Sequence, residues 1–378
     1  MKLIMRQFIL IIGLLSSGVG ISQIQSEFEM ETASGYMHNI FRSPSSFIDE
    51  DELFGKDDLI RSSIYQDMGF KGIFKKFWKN ENISLRLYPK GRLFLSDTEA
   101  TFYTVYSRFR YEKNFSRKTR LWLTSHWNLR DREGENLDDN ELRTPLGYRH
   151  LDISAGLFFR LYDQHRGFIN LEIGNRNYQD AESNDLQYDY YTINTVFRNV
   201  FERPEGWHSY GIEAQLSKRL YERTYFEPEV PKETRDWSYI VLEPFYRWPV
   251  SKNWRLRGGV EWSKRKDNNK GTFTYRQIRP SLELRYKNEK WLIETEGSYT
   301  IRDFDGLNAT NSAEEILGKL NFKYYRLKVD IEYELGRKLY LTANMYVNNR
   351  NSNRTNINTI TFRSYDYYYA GIGLRFEF

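Results

Sequence analysis

Cysteine is absent from the 378-residue sequence, and proline is scarce at nine residues. The first absence excludes disulfides, thiolate metal sites, cysteine nucleophiles and attachment of lipid to an N-terminal cysteine. Long apolar runs are lacking too. Mean hydropathy is −0.72, and beyond the N-terminus nothing approaches the ~18 consecutive apolar residues that a membrane-spanning helix needs. A bundle of membrane helices is therefore excluded. A strand-built membrane protein is not, because each of its spans needs only ~10 residues of alternating polarity. Charge of one sign is also missing: 56 basic against 51 acidic residues leave +5, spread along the chain. Solvated loops and polar strand faces account for that balance, and it gives no footing for a nucleic-acid partner.

The five histidines, His38, His126, His150, His165 and His208, show no HxxxH spacing, so no metal site is expected of them. Phosphate loops and dinucleotide fingerprints are absent, and no cofactor is implied. Asp138, Asp139 and Glu141 are acidic enough for calcium, but a solvated acidic loop is the commoner meaning of such a cluster.

What is abundant is aromatic: 29 Tyr, 25 Phe and 9 Trp, a composition that favours strands. The N-terminus has a basic start at Lys2 and Arg6, a short apolar stretch from Phe8 to Leu15 and a small-x-small site at Gly20-Ile21-Ser22. This pattern predicts a cleaved signal peptide over 1–22, an exported protein, and a single domain over 23–378. The eight apolar residues are too few to cross ~30 Å of hydrocarbon.

From 28–41 to 362–378 the chain reads as about sixteen alternating segments without a linker. Their connections alternate in length. Short ones lie at 79–82, 113–118, 163–166, 202–206, 250–253, 287–290 and 335–337. Between them come longer ones at 42–57, 131–146, 179–186, 222–235, 266–271, 303–315 and 350–361, with 96–99 as the exception. An up-and-down antiparallel β-barrel has this rhythm; a sandwich, which mixes hairpins with cross-sheet connections, does not require it. An even strand count places both termini on one side.

Alternation within strands assigns the faces. Trp254, Leu256, Gly258, Val260 and Trp262 share one side, with indoles spaced to reach both membrane interfaces, and Arg255, Arg257, Glu261 and Arg265 share the other. Trp291 is a further interface aromatic. Ile169, Leu171 and Ile173 stand against Asn170, Glu172 and Arg176 in the same way. The polar faces point into one lumen, where Glu243, Arg247, Arg257, Glu261, Arg279, Glu283, Arg285, Glu296 and Arg326 are candidate selectivity residues. Such rows can orient solutes and screen ions, or hold the wall as cross-strand ion pairs.

With Ile372, Leu374, Phe376 and Phe378 on one face at the end, the chain resembles Gram-negative outer-membrane β-barrels over its mature length. The segment GYMHNIF at 35–41 is similar to opening strands of porin families. The resemblance implies an outer-membrane location with both termini periplasmic, contact with outer-membrane lipid, and recognition of the terminal residues by the barrel assembly machinery.

Two functions from different classes follow. The first is a porin-like channel for small polar solutes or ions, since sixteen strands enclose more than side chains fill. The second is a non-conducting barrel that is the structural or assembly partner of an envelope protein or lipoprotein. The loops at 42–57 and 131–146 are candidate plugs. The chain is not expected to be an enzyme. The best hydrolase candidates, His150, Asp152 and Ser154 with Ser125 and His126 beside them, are spaced ~7 Å apart along a strand, too far to touch unaided.

Overall fold

The computed structural model describes residues 24–49, 52–131, 133–136, 141–145, 147–178, 189–203, 208–224, 234–359 and 362–378. The expected signal segment lies outside these residues, as do Asp138 and Asp139.

Alternating polarity yields sixteen strands. In chain order the first eight are β1 (Ile24–His38), β2 (Ser63–Phe77), β3 (Glu81–Phe94), β4 (Phe102–Ser116), β5 (Thr119–Asp131), β6 (Tyr148–Tyr162), β7 (His165–Tyr178) and β8 (Tyr190–Glu202). The second eight are β9 (Ser209–Thr224), β10 (Thr234–Trp248), β11 (Trp254–Asp267), β12 (Tyr275–Lys287), β13 (Trp291–Thr310), β14 (Ile316–Gly336), β15 (Leu339–Ser352) and β16 (Tyr368–Glu377). Each pairs antiparallel with its neighbours in sequence, and β1 pairs with β16 to close the barrel, Gly35 opposite Gly371 and Glu31 opposite Arg375. Closure leaves no exposed edge, the condition for a sheet to stand in lipid.

The connections segregate to two ends. One end carries the tight turns: 78–80, 117–118, 163–164, 249–253, 288–290 and 337–338. The other carries the longer connections, among them 39–62, 95–101 and 353–367. The exception expected at 96–99 disappears, because the strands stop earlier and leave seven residues there. The loop expected at 303–315 is mostly strand instead: β13 and β14, of 20 and 21 residues, carry their hairpin beyond the neighbouring strands through an irregularity after Asp303.

Two of the long connections fold back over the lumen. The first, 39–62, contains a hairpin of Phe47–Asp49 with Glu52–Phe54 and a one-turn helix, and buries Ile40 and Leu59. It is tied to the last connection, 353–367: Asn39 Nδ2 donates to the Asp366 carbonyl at 2.8 Å, the Ile48 amide to the Ile357 carbonyl at 2.8 Å, and Arg42 lies 4.5 Å from the Tyr367 ring. Phe362 stacks on the inward-facing Phe322 and touches Phe304 and Phe273, holding a left-handed backbone (φ 63°) that a large side chain otherwise avoids. The last connection is thus an inward-folded element that the sequence did not single out. Of the other plug candidate, 131–146, the structure describes a small hairpin of Glu133–Asn136 with Glu141–Pro145.

The outer wall is apolar and uncovered: Ile153, Ile173, Leu216 and Leu282 expose 54–60% of their surface. A continuous band of that kind demands an apolar solvent. Trp254 and Trp262 are eight residues apart on this wall, ~27 Å along the strand and ~20 Å along a barrel axis tilted by ~40°, close to the height of a membrane barrel's apolar belt.

Candidate functional site

Because side chains alternate and the registers are regular, the polar members of every strand meet inside. Glu243 and Arg247 come from β10, Arg257 and Glu261 from β11, Arg279, Glu283 and Arg285 from β12, Glu296 from β13 and Arg326 from β14. The pairings Arg247 with Arg257, Arg257 with Glu283, Glu261 with Arg279, and Glu283 with Glu296 put six of these nine side by side.

Arg257 is bonded to carboxylates on both sides, Glu243 and Glu283. Four residues further along the same two strands Arg279 holds Glu261, which accepts from Gln277 at 3.0 Å; Gln277 in turn accepts from Arg302 at 2.7 and 2.9 Å. Arg285 meets Glu294 at 3.1 Å. On the far side of the seam Arg375 joins Glu29, Glu332 and Glu377, and Lys71 meets Glu29 at 2.7 Å. Apart from Gln277 and Arg302, which lie nearer the long connections, these residues form a tier of cross-strand ion pairs toward the turn end. Three candidates stand apart from it among the described residues: Arg247 and Glu296 have no ion-pair partner, and Arg326 donates to Asn348 at 3.2 Å rather than to a carboxylate.

A second tier, nearer the long connections, was not anticipated. Here arginines alternate with aromatic rings from strand to strand. Arg176 lies 4.3 Å from the Tyr148 ring and 5.4 Å from that of Tyr190; Arg219 lies 4.2 Å from Tyr190 and 5.4 Å from Tyr239. Arg265 lies 4.2 Å from Trp237 and 4.4 Å from Tyr275, and Arg302 4.4 Å from Tyr275 and 5.4 Å from Tyr324. Arg350 then sits 4.6 Å from Tyr365 of the inward-folded connection. The signal available in the sequence was the placement of Tyr148, Tyr190, Trp237, Tyr275 and Tyr324 on strand faces otherwise occupied by charge.

The hydrolase candidates are brought together in part. His150 Nε2 contacts Asp152 Oδ2 at 2.7 Å, contrary to the expectation from strand spacing, because an imidazole and a carboxylate leaning toward each other bridge the gap between i and i+2. Its Nδ1 faces the Asn175 carbonyl at 2.8 Å. With an oxygen acceptor at each ring nitrogen, neither is free to take a proton from a serine, and among the described residues Ser154 makes no bond to His150. Ser125 is on the outward face of β5, opposite Ile153, while His126 points inward opposite Asp152. These five residues do not align a nucleophile, a base and an acid.

The predicted interface aromatics face outward. Trp254 packs on Tyr286 with centroids 4.7 Å apart and Trp291 on Tyr333 at 4.6 Å, both near the turn end, while Trp262 is near the loop end. Ile372, Leu374, Phe376 and Phe378 are also exposed on the outer wall. Phe376 and Phe378 meet edge to face, and the Phe378 amide donates to the Phe28 carbonyl at 2.9 Å across the closing seam.

A closed barrel of sixteen antiparallel strands, apolar outside and charged within, is a transmembrane β-barrel of the outer-membrane class. No family model matches the chain, and no curated protein does. Among solved structures it is similar to a bacterial polysaccharide outer membrane secretin (TM-score 0.48, 10% identity, 93% of this chain and 98% of the other). It is also similar to the copper transporter OprC (0.46, 9%, 94% and 81%) and to a mutant of the Rh. blastica porin (0.38, 9%, 94% and 100%). At such identities the likeness concerns architecture alone.

Proposed function

We propose that the barrel is a passive channel for small polar solutes or ions. The observation that carries this reading is the lumen wall: guanidinium, ammonium and carboxylate groups of β1, β2, β8–β14 and β16 face inward and remain partly solvated. A wall of this kind is stable only against water, and sixteen strands enclose room for it. The turn end and both termini face the periplasm, the long connections face outward, and the terminal strand is what the assembly machinery engages.

A second reading, a non-conducting partner barrel, is favoured by one observation: the connections 39–62 and 353–367 pack into the mouth through Tyr65, Phe94, Tyr367 and Phe362. Purified protein folded into a planar bilayer separates the two. Reproducible unitary steps, absent from unfolded protein, support the channel, and F362A then raises their size by loosening the inward connection. Silence from correctly folded barrels, relieved by no change at Phe362, supports the partner role.

A further inference from the structure

The two tiers of the lumen differ in how their cations are balanced. Toward the turn end, Arg257, Arg279, Arg285 and Arg375 are each matched with carboxylates. Toward the long connections, no carboxylate of the described residues lies within ion-pair distance of Arg176, Arg219, Arg265, Arg302 or Arg350. Their neighbours are ring faces and neutral oxygens: Arg265 Nε donates to the Phe273 carbonyl at 2.8 Å, Arg219 Nη1 to the Tyr221 hydroxyl at 3.3 Å, and Arg350 Nε to the Arg363 carbonyl at 2.7 Å. The Nε atoms of Arg176 and Arg219 are buried with no acceptor among the described residues.

Stacking holds each guanidinium plane without neutralising it. An arginine fixed against aromatic rings on one or both sides has lost most of its rotamer freedom already, and its fork of donors suits the paired oxygens of a carboxylate, phosphate or sulfate. The positions recur on every second strand, β7, β9, β11, β13 and β15, with rings on the strands between, so one such fork follows another around the wall. A mobile oxyanion entering here meets preorganised donors that no resident carboxylate competes for, then a lower tier whose guanidinium groups are already matched with carboxylates.

We propose that this arginine and aromatic ladder is a binding track for oxyanions, so that the solutes favoured by the channel carry carboxylate, phosphate or sulfate groups. This deepens the channel reading and rests on it for transport, although binding itself does not require conduction.

The test is block of chloride current in a planar bilayer by sulfate and, separately, by gluconate, for the wild type and for R176Q/R219Q/R265Q. The expected result is half-block at a concentration about ten-fold lower in the wild type, the loss that removing charge-assisted hydrogen bonds predicts. Block by both anions assigns the track to organic as well as inorganic oxyanions, and block by sulfate alone confines it to compact inorganic ones. No block, or block untouched by the substitutions, overturns the proposal. Should the glutamine variant fail to fold, R176K/R219K/R265K keeps the charge and loses the fork; unchanged block in it overturns the fork. If the folded barrel is silent, sulfate is titrated while following the fluorescence of Trp237, isolated by subtraction of W237F. A change that is lost in the arginine variants sustains the ladder while the channel fails, and no change sinks the ladder as well.

Discussion

Arg92 on β3 grips Asp67 on β2 through two parallel bonds of 2.7 Å, and the pair is almost closed to solvent at 9% and 3% exposure. The guanidinium also lies 3.9 Å from the Tyr65 ring. Removing one partner leaves a buried charge, a cost of about 3 kcal/mol, whereas removing both does not. R92M is therefore expected to lower the unfolding free energy by about that amount, and D67N/R92M to recover most of it. Urea unfolding of the vesicle-inserted barrel measures both, and a double variant as weak as R92M would contradict the pairing.

Glu243 and Glu283 converge on Arg257 from opposite sides. Taking away the arginine leaves two facing carboxylates on the lumen wall, so R257Q is expected to move the reversal potential in a salt gradient toward cation preference. E243Q/E283Q exposes an uncompensated guanidinium and should move it toward anions. Shifts of the same sign in the two variants would mean that this cluster does not set the field experienced by permeating ions.

The lumen and lipid faces are one residue apart, so adjacent substitutions separate them. Leu282 is mid-strand on β12, exposed on the outer wall, and Ser281 faces Gly259 and Ser298 inside. L282R should cost about 2–4 kcal/mol as a charge at the bilayer midplane. S281R should stay within about 0.5 kcal/mol. Equal costs for the two would reverse or erase the face assignment, and heat-modifiable mobility on gels gives a quick first measure.

Legibility followed the range of the interactions. Strand number, faces and the two ends were readable because a period of two is local: Trp254 and Trp262 announce the outer wall without knowledge of their neighbours. The ion pairs were readable as a set but not as partners, since Arg257 meets Glu243 and Glu283 only through the registers of three strands. The stacked tier was legible only as rings on charged faces and not as contacts for the same reason, Tyr239 and Arg265 being 26 positions apart in sequence yet directly opposite on β10 and β11. The inward fold of 353–367 depends on Asn39, 327 positions from the Asp366 carbonyl it bonds, and no periodicity reports a contact of that separation.

Closure of the barrel sets a last and sharper condition. Gly35 on β1 and Gly371 on β16 are register partners, and the side chain of Tyr65 on β2 lies across both. A Cβ on Gly35 would come within 2.6 Å of Tyr65 Cζ and Oη, and one on Gly371 would strike the same hydroxyl. The ring cannot retreat, because it is fully buried between Phe94 and Tyr369 with Arg92 over its face. The two glycines thus form a trough that a large ring fills, tying the first, second and last strands together where the sheet meets itself. G371V is expected to cost about 1–3 kcal/mol through overpacking, and Y65A about 3–5 kcal/mol through the cavity it leaves. Combined, the valine occupies part of that cavity, so Y65A/G371V should be less damaging than the sum of the two by at least ~0.5 kcal/mol, the coupling expected of residues in contact. Strict additivity in urea unfolding would show that Tyr65 does not rest on Gly371 and that the seam is held by backbone pairing alone.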